Sequence, residues 1–162
     1  MLNAIRLYRI ANWLYSHHIP FLPKILQLLI FVTYNCSISY KTKIGRGTFL
    51  NHGGMGVLIN PESTIGDDCK IGNNVSIVGQ GPYLECPKIG NRDYIGPGAV
   101  IQGPVIIEDG VIIAPNAVVN RSVRRGKIVG GIPARIIGDT STLDYDIFAN
   151  ETWKTGHKEF ME

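Results

Sequence analysis

The chain has 162 residues, 44% of them hydrophobic and 18% charged, and a net charge of +3. That is enough for one domain with a real core but not comfortably for two, and the mild charge, with no Lys/Arg run interleaved with aromatics, argues against a nucleic-acid binder. Nineteen glycines and nine prolines in so aliphatic a chain indicate a turn-rich fold rather than disorder, and three irregularly spaced cysteines, Cys36, Cys69 and Cys86, fit a reduced, cytoplasmic setting.

Residues 1–36 carry no repeat. Ile5, Tyr8, Trp13 and Leu14 against Arg6, Arg9 and Asn12 predict one amphipathic helix. A second starts after the Pro20 to Pro23 breaker, from Lys24 through Ile25, Leu26, Leu28, Leu29, Phe31 and Val32. Its apolar stretch is far short of the roughly 20 residues a membrane span needs, and no small-residue cleavage site follows it. We expect this segment to pack on the end of the next domain or on a neighbouring subunit, shielding Trp13, Phe21 and Phe31. Peripheral contact of residues 1–34 with the inner face of a membrane is the other reading.

From residue 37 to about 138 a different order takes over. Ile89, Ile95, Ile101, Ile107, Ile113 and Val119 recur every sixth residue, and the register runs back through Ile77, Ile71, Ile65 and Ile59 to Leu50, Ile44 and Ile38. Two residues before many of them lies a smaller side chain: Cys69, Val75, Ala99, Val105, Val111 and Ala117. No helix or hairpin has that period, and the strands of a β-sandwich lack a fixed six-residue register. The pattern predicts a mainly β fold, a parallel β-helix of hexapeptide repeats, in which each short strand buries its aliphatic residue only against the next coil. Gly66-Asp67, Gly72-Asn73 and Gly90-Asn91 supply turn chemistry between the flat faces.

The register breaks twice. Leu50 to Ile59 is nine residues rather than six, so Asn51-His52-Gly53-Gly54-Met55-Gly56 must bulge outward. Ile77 to Ile89 is twelve, with Tyr83 standing midway where an inward aliphatic residue is lost. Irregular segments of a repetitive scaffold are where chemistry is expected. His52 is the one histidine among the repeats; an imidazole is suited to take a proton from a hydroxyl, and the adjacent glycines allow close approach. A solvent-exposed turn histidine is the plainer reading of the same residue. His17, His18 and His157 lie outside the repeats, so no metal site is expected. Residues 139–162 form a tail that mixes charge with Tyr145, Phe148, Trp153 and Phe160 without period, read as a docked helix or as disorder.

Ile44-Gly45-Arg46-Gly47-Thr48-Phe49-Leu50-Asn51-His52-Gly53-Gly54, the repeats, Cys86-Pro87-Lys88-Ile89-Gly90 and finally Gly131-Ile132-Pro133-Ala134-Arg135-Ile136 together resemble the serine acetyltransferase-like and polysaccharide O-acetyltransferase branch of the hexapeptide-repeat acyltransferases. The resemblance implies a left-handed parallel β-helix and a homotrimer with active sites between subunits. It also implies acetyl transfer from acetyl-CoA, with His52 as general base and Asn51 standing where serine acetyltransferases have an aspartate. On the cofactor side it points to Gly79 and Gly81 near the thioester, to Gly98, Ala99, Ala114 and Ala117 along the pantetheine arm, and to Lys127 and Arg135 as phosphate partners. For the acceptor it points to Gln80, Tyr83, Glu85 and Cys86. Glu85 and Cys86 replace an arginine and a histidine that hold serine in the family, so like charge would face a serine carboxylate. The expected acceptor is therefore a sugar hydroxyl of a surface-polysaccharide precursor. Serine, as in cysteine biosynthesis, is the alternative acceptor, and a non-catalytic scaffold the alternative class.

Overall fold

In a computed structural model, residues 3–148 are described. Two helices, α1 (Ala4–Ser16) and α2 (Leu22–Tyr34), precede a β-solenoid of about four turns. Each turn is a triangle of two- or three-residue strands. The first face stacks Ser37–Ile38, Leu58–Ile59, Ser76–Val78, Val100–Gln102 and Val118–Val119; the second stacks Lys43–Ile44, Thr64–Ile65, Lys88–Ile89 and Ile106–Ile107. The third stacks Phe49–Leu50, Lys70–Ile71, Tyr94–Ile95, Ile112–Ile113 and Lys127–Gly131, and ends on Ala134–Asp139, which turns back antiparallel. All pairing between turns is parallel.

Every aliphatic residue of the six-residue register, from Ile38 to Val119, is buried, as is every smaller residue two places before it. The inward small-residue track also contains polar members that composition alone conceals: Thr42, Thr48, Ser63 and Asp93. They sit at the corners, where Thr48 and Asp93 bond to the backbone while the Thr42 and Ser63 hydroxyls have no partner among the described residues. Thr48 donates its hydroxyl to the Gly66 carbonyl at 2.7 Å and accepts from the Cys69 amide at 3.0 Å.

Between the second and third faces the turns interlock through side chains. Asp67 Oδ1 accepts from the Arg46 amide at 2.6 Å, Asn91 Oδ1 from the Asp67 amide at 2.8 Å, and Asp109 Oδ1 from the Asn91 amide at 2.8 Å. This is why Asp or Asn follows the turn glycine. The same corner bends at left-handed residues such as Asp68 (φ 55°) and Gly110 (φ 71°), which Asp, Asn and Gly tolerate best.

A stacked solenoid leaves an open edge at each end. At the start, α1 closes it. Asn3 donates to the Leu50 carbonyl (2.7 Å), Tyr8 to Thr42 (2.5 Å), Asn12 to Tyr40 (2.8 Å), and Arg9 reaches the carbonyls of Ile44 and Gly45. At the far end, the antiparallel Ala134–Asp139 strand covers the last rung of the third face.

Two expectations change. Trp13, Phe21 and Phe31 are not shielded within the chain: they are 55%, 75% and 53% exposed, because α1 buries only Ala4, Ile5, Tyr8 and Ala11 and α2 only Pro23 and Ile30. Tyr83 does not occupy a failed inward position either. Ile77 lies in a strand of the first face and Ile89 in a strand of the second, which are successive faces. Residues 79–87 thus contain a six-residue insertion looped out at one corner, and no inward position was lost. The tail beyond residue 148, with Trp153, His157 and Phe160, lies outside the described residues.

Candidate active site

The ladder spacing locates both irregular segments. A regular turn is 18 residues, as from Leu58 to its partner Ser76. The turn from Ser37 to its partner Leu58 is 21, and the three extra residues are accommodated where the 3-10 segment Asn51–Gly54 bulges between the third and first faces. The turn from Ser76 to its partner Val100 is 24, with six extra residues between the first and second faces. The two loops therefore stand at opposite edges of the first face.

His52 itself is left-handed (φ 50°, ψ 36°), followed by Gly53 at φ 76° and buried Gly54 at φ 90°. A non-glycine residue there costs on the order of 1 kcal/mol or more, and such conformations gather where a side chain must be aimed. Gly54 is packed: a Cβ on it would lie 2.8 Å from Leu50 Cδ1 and 3.2 Å from Ala4 Cβ. Core residue and helix cap together hold the turn from below, and the imidazole is left exposed above it. Among the described residues the His52 ring has no hydrogen-bond partner, and Asn51, half-buried, does not supply one.

From that turn one corner of the prism runs without a break. The Asn74 amide donates to the Met55 carbonyl, the Gly98 amide to Asn73, and the Asn116 amide to Pro97, all at 2.9 Å; one turn on, the Ala114 amide donates to Val129 at 2.8 Å. At the usual strand spacing these four rungs span on the order of 19 Å. The column joins His52 to Gly130 and Gly131, where the Lys127–Gly131 strand reverses.

The sequence-derived candidates divide between the two edges. Asn51, His52, Gly98 and Ala114 share the histidine corner, with Gly98 and Ala114 half-buried on its surface. Ala99 and Ala117, however, are fully buried, since both belong to the inward small-residue track; their methyl groups fill the core and cannot line a path for pantetheine outside it. Lys127 donates to Asp139 at 2.6 Å across the terminal hairpin, so its ammonium is already engaged; that bond, followed by those from Ser141, holds the Asp139 carboxyl well below the usual range. Arg135 is exposed on the outer strand opposite Gly130. Gly79, Gln80, Gly81, Tyr83, Glu85 and Cys86 all lie on the other loop. Tyr83 and Glu85 are exposed there, and burial, then the Glu62 charge, pushes the half-buried Cys86 thiol up. Cys36 and Cys69 are buried thiols pushed to about 12 and about 11 by burial, which makes them core residues rather than nucleophiles.

A triangular solenoid with a histidine turn at the head of one corner and a glycine-rich loop at another defines the class of hexapeptide-repeat transferases. The model of the family described as "Bacterial transferase hexapeptide (six repeats)" matches residues 86–121. A serine acetyltransferase of Helicobacter pylori is 37% identical over 139 residues, covering 84% of this chain and 80% of that protein. One from Synechococcus elongatus is 34% identical over 137 residues, covering 83% of this chain and 56% of that one. The crystal structure of a Brucella abortus serine acetyltransferase in complex with coenzyme A matches with a TM-score of 0.79 at 32% identity, over 85% of this chain and 55% of that one. The chain belongs to the serine acetyltransferase family of hexapeptide-repeat transferases. It spans only a little over half the length of some of these relatives.

These relatives overturn the sugar-acceptor expectation, because the proteins that match over most of the chain are serine acetyltransferases. Within one chain Glu85 is exposed on a loop at the edge of the first face away from His52.

Proposed function

We propose that the chain is an acetyl-CoA-dependent serine O-acetyltransferase with His52 as its general base. The observation that carries the reading is the left-handed His52 turn, aimed outward and continuous with a corner column that ends at the Gly130–Gly131 reversal. In this reading His52 takes the proton of the serine hydroxyl while its oxygen attacks the thioester carbonyl carbon. Backbone N–H groups near Gly79 and Gly81 offset the oxyanion charge. The carbon–sulfur bond then breaks, and the proton held by His52 passes to the departing thiolate. Acetyl-CoA lies along the histidine corner past Gly98 and Ala114, with Arg135 near its phosphates.

Because the two loops stand at opposite edges of one face, a complete site takes the histidine corner of one chain and the glycine loop of another, and the working form is a homotrimer. The test is His52→Ala in the full chain. Acetyl-CoA should still raise the melting temperature, while turnover with serine falls by roughly 10²- to 10⁴-fold. Unchanged turnover would remove His52 from the mechanism. Absent turnover with serine in the unmodified protein, with acetyl-CoA bound, would remove the acceptor.

A further inference from the structure

Helix α2 is mostly apolar, with Lys24, Gln27 and Thr33 as its polar members besides Tyr34, yet only one side of it is used. Pro23 and Ile30 are buried, while Leu22, Ile25, Leu28, Leu29, Phe31 and Val32 are exposed, Leu28 to 62% and Val32 to 73%. At 100° per residue those six fall within one half of the helix, opposite the buried pair. An exposed apolar face of this extent on a folded chain marks a surface that is covered in use.

The charges say by what. Residues 1–61 contain Arg6, Arg9, Lys24, Lys41, Lys43 and Arg46 and not one aspartate or glutamate; the first carboxylate of the chain is Glu62. Cations also border the apolar face. A groove of about 600 Å³ between α2 and the first turn is lined by Lys24, Lys41 and Glu62 together with Leu28 and Phe31. A second copy docked face to face about a two-fold axis would bring Lys24 against its own counterpart, with no carboxylate in residues 1–61 to pair it. An anionic bilayer instead matches both features, since apolar side chains enter the acyl boundary and each nearby cation gains from the surface potential. α2, at 13 residues, lies on such a surface, and no described helix is long and apolar enough to cross it.

We infer that α2 docks the protein on an anionic lipid surface, with Leu28 and Val32 inserted and Lys24 and Lys41 at the headgroups. The inference is independent of the catalytic reading. The solenoid hangs from the membrane by its N-terminal end, and the corner column runs away from the lipid.

The test is co-sedimentation of the full chain with vesicles of phosphatidylcholine alone and of phosphatidylcholine with 30% phosphatidylglycerol. Binding should be found with the anionic vesicles, weaken as salt rises, and be at least roughly 10-fold weaker with neutral ones. Leu28→Glu with Val32→Glu should abolish it while leaving circular dichroism and melting temperature unchanged, because both side chains are already in water. Lys24→Glu should weaken anionic binding and leave the fold intact, a second readout should the double variant misfold. Failure to bind anionic vesicles overturns the inference, and a face covered by the chain's own residues 149–162 would give that result. Equal binding to both vesicle types overturns the charge argument. A fall in molar mass of the double variant, by light scattering, would assign the face to a neighbouring copy instead.

Discussion

Among the described residues Asp93 is the one fully buried carboxylate, and replacing it should alter how stability follows pH. It sits fully buried on the inward track between Cys69 and Val111; one oxygen accepts from the Val111 amide at 2.7 Å and the other, Oδ2, has no partner. Burial, and secondarily the nearby Asp109 charge, push its carboxyl from 3.8 up to about 7, against the pull of the Val111 bond. The folded chain therefore holds this proton more tightly than the unfolded one. Stability is unaffected by the group below about pH 4, falls as pH rises toward 7, and levels off above it. A gap of that size corresponds to about 4 kcal/mol in total, of which about 2 kcal/mol is lost between pH 5 and pH 7. Asp93→Asn keeps an acceptor for Val111 and cannot ionise, so its stability should be flat over the same window. The new amide hydrogens have no acceptor and cost about 1–3 kcal/mol, which leaves a net gain of roughly 1–3 kcal/mol at pH 7 to 8 and none at pH 5. Urea unfolding at pH 5, 6, 7 and 8, at one protein concentration because subunit assembly shifts midpoints, reads the difference. Midpoints of the two proteins that run parallel across those pH values would refute the buried, proton-holding carboxyl.

Gly98→Ala should destabilise by about 2 kcal/mol or more in the same assay, since φ is +71° and the new Cβ would lie 2.2 Å from Asn116 Oδ1; an unchanged midpoint would mean that the corner is looser than its backbone bonds indicate. On the proposed reading, Glu85→Arg replaces a carboxylate with a cation that can pair with the serine carboxylate, and should lower the KM for serine by roughly 10-fold at similar kcat. No change in KM would place that loop away from the acceptor. Light scattering should give about three times the 17.8 kDa chain mass for the active species, and an active monomer would exclude a site shared between chains.

The solenoid was legible because its physics is periodic. One inward aliphatic residue per six, repeated through a stack that buries it, leaves a trace that no other architecture imitates, and both breaks in that trace became corner loops. What could not be read was depth and direction. Ala99 and Ala117 look like small residues on a ligand path when they are small because the corner interior is narrow. Thr42, Thr48, Ser63 and Asp93 escape the inward track because hydrophobicity was the criterion, whereas at Thr48 and Asp93 the corner rewards a side chain that reaches the backbone of the next turn. The Lys127–Asp139 pair joins residues twelve apart, and only the hairpin brings them together. The reading of Tyr83 failed for a related reason: a twelve-residue gap fits a lost strand and an inserted loop equally well, and only the pairing of Ser76 with Val100 separates them.

That pairing also bears on how the site is completed. If residues 79–87 had been a degenerate strand, the loops would have stood one face further apart and the later turns would be shifted by a face. As an insertion, the loop leaves the frame of every later turn intact, so Gly98, Ala114 and Gly130 stay on the corner that His52 begins. Selection on the two loops can then proceed separately. Length added at the first-to-second corner changes that loop without moving the column beneath the histidine. The exposed imidazole fits that division of labour: its own chain aims it through the left-handed turn, no group among the described residues orients the ring, and on the proposed reading substrate or a second subunit does so.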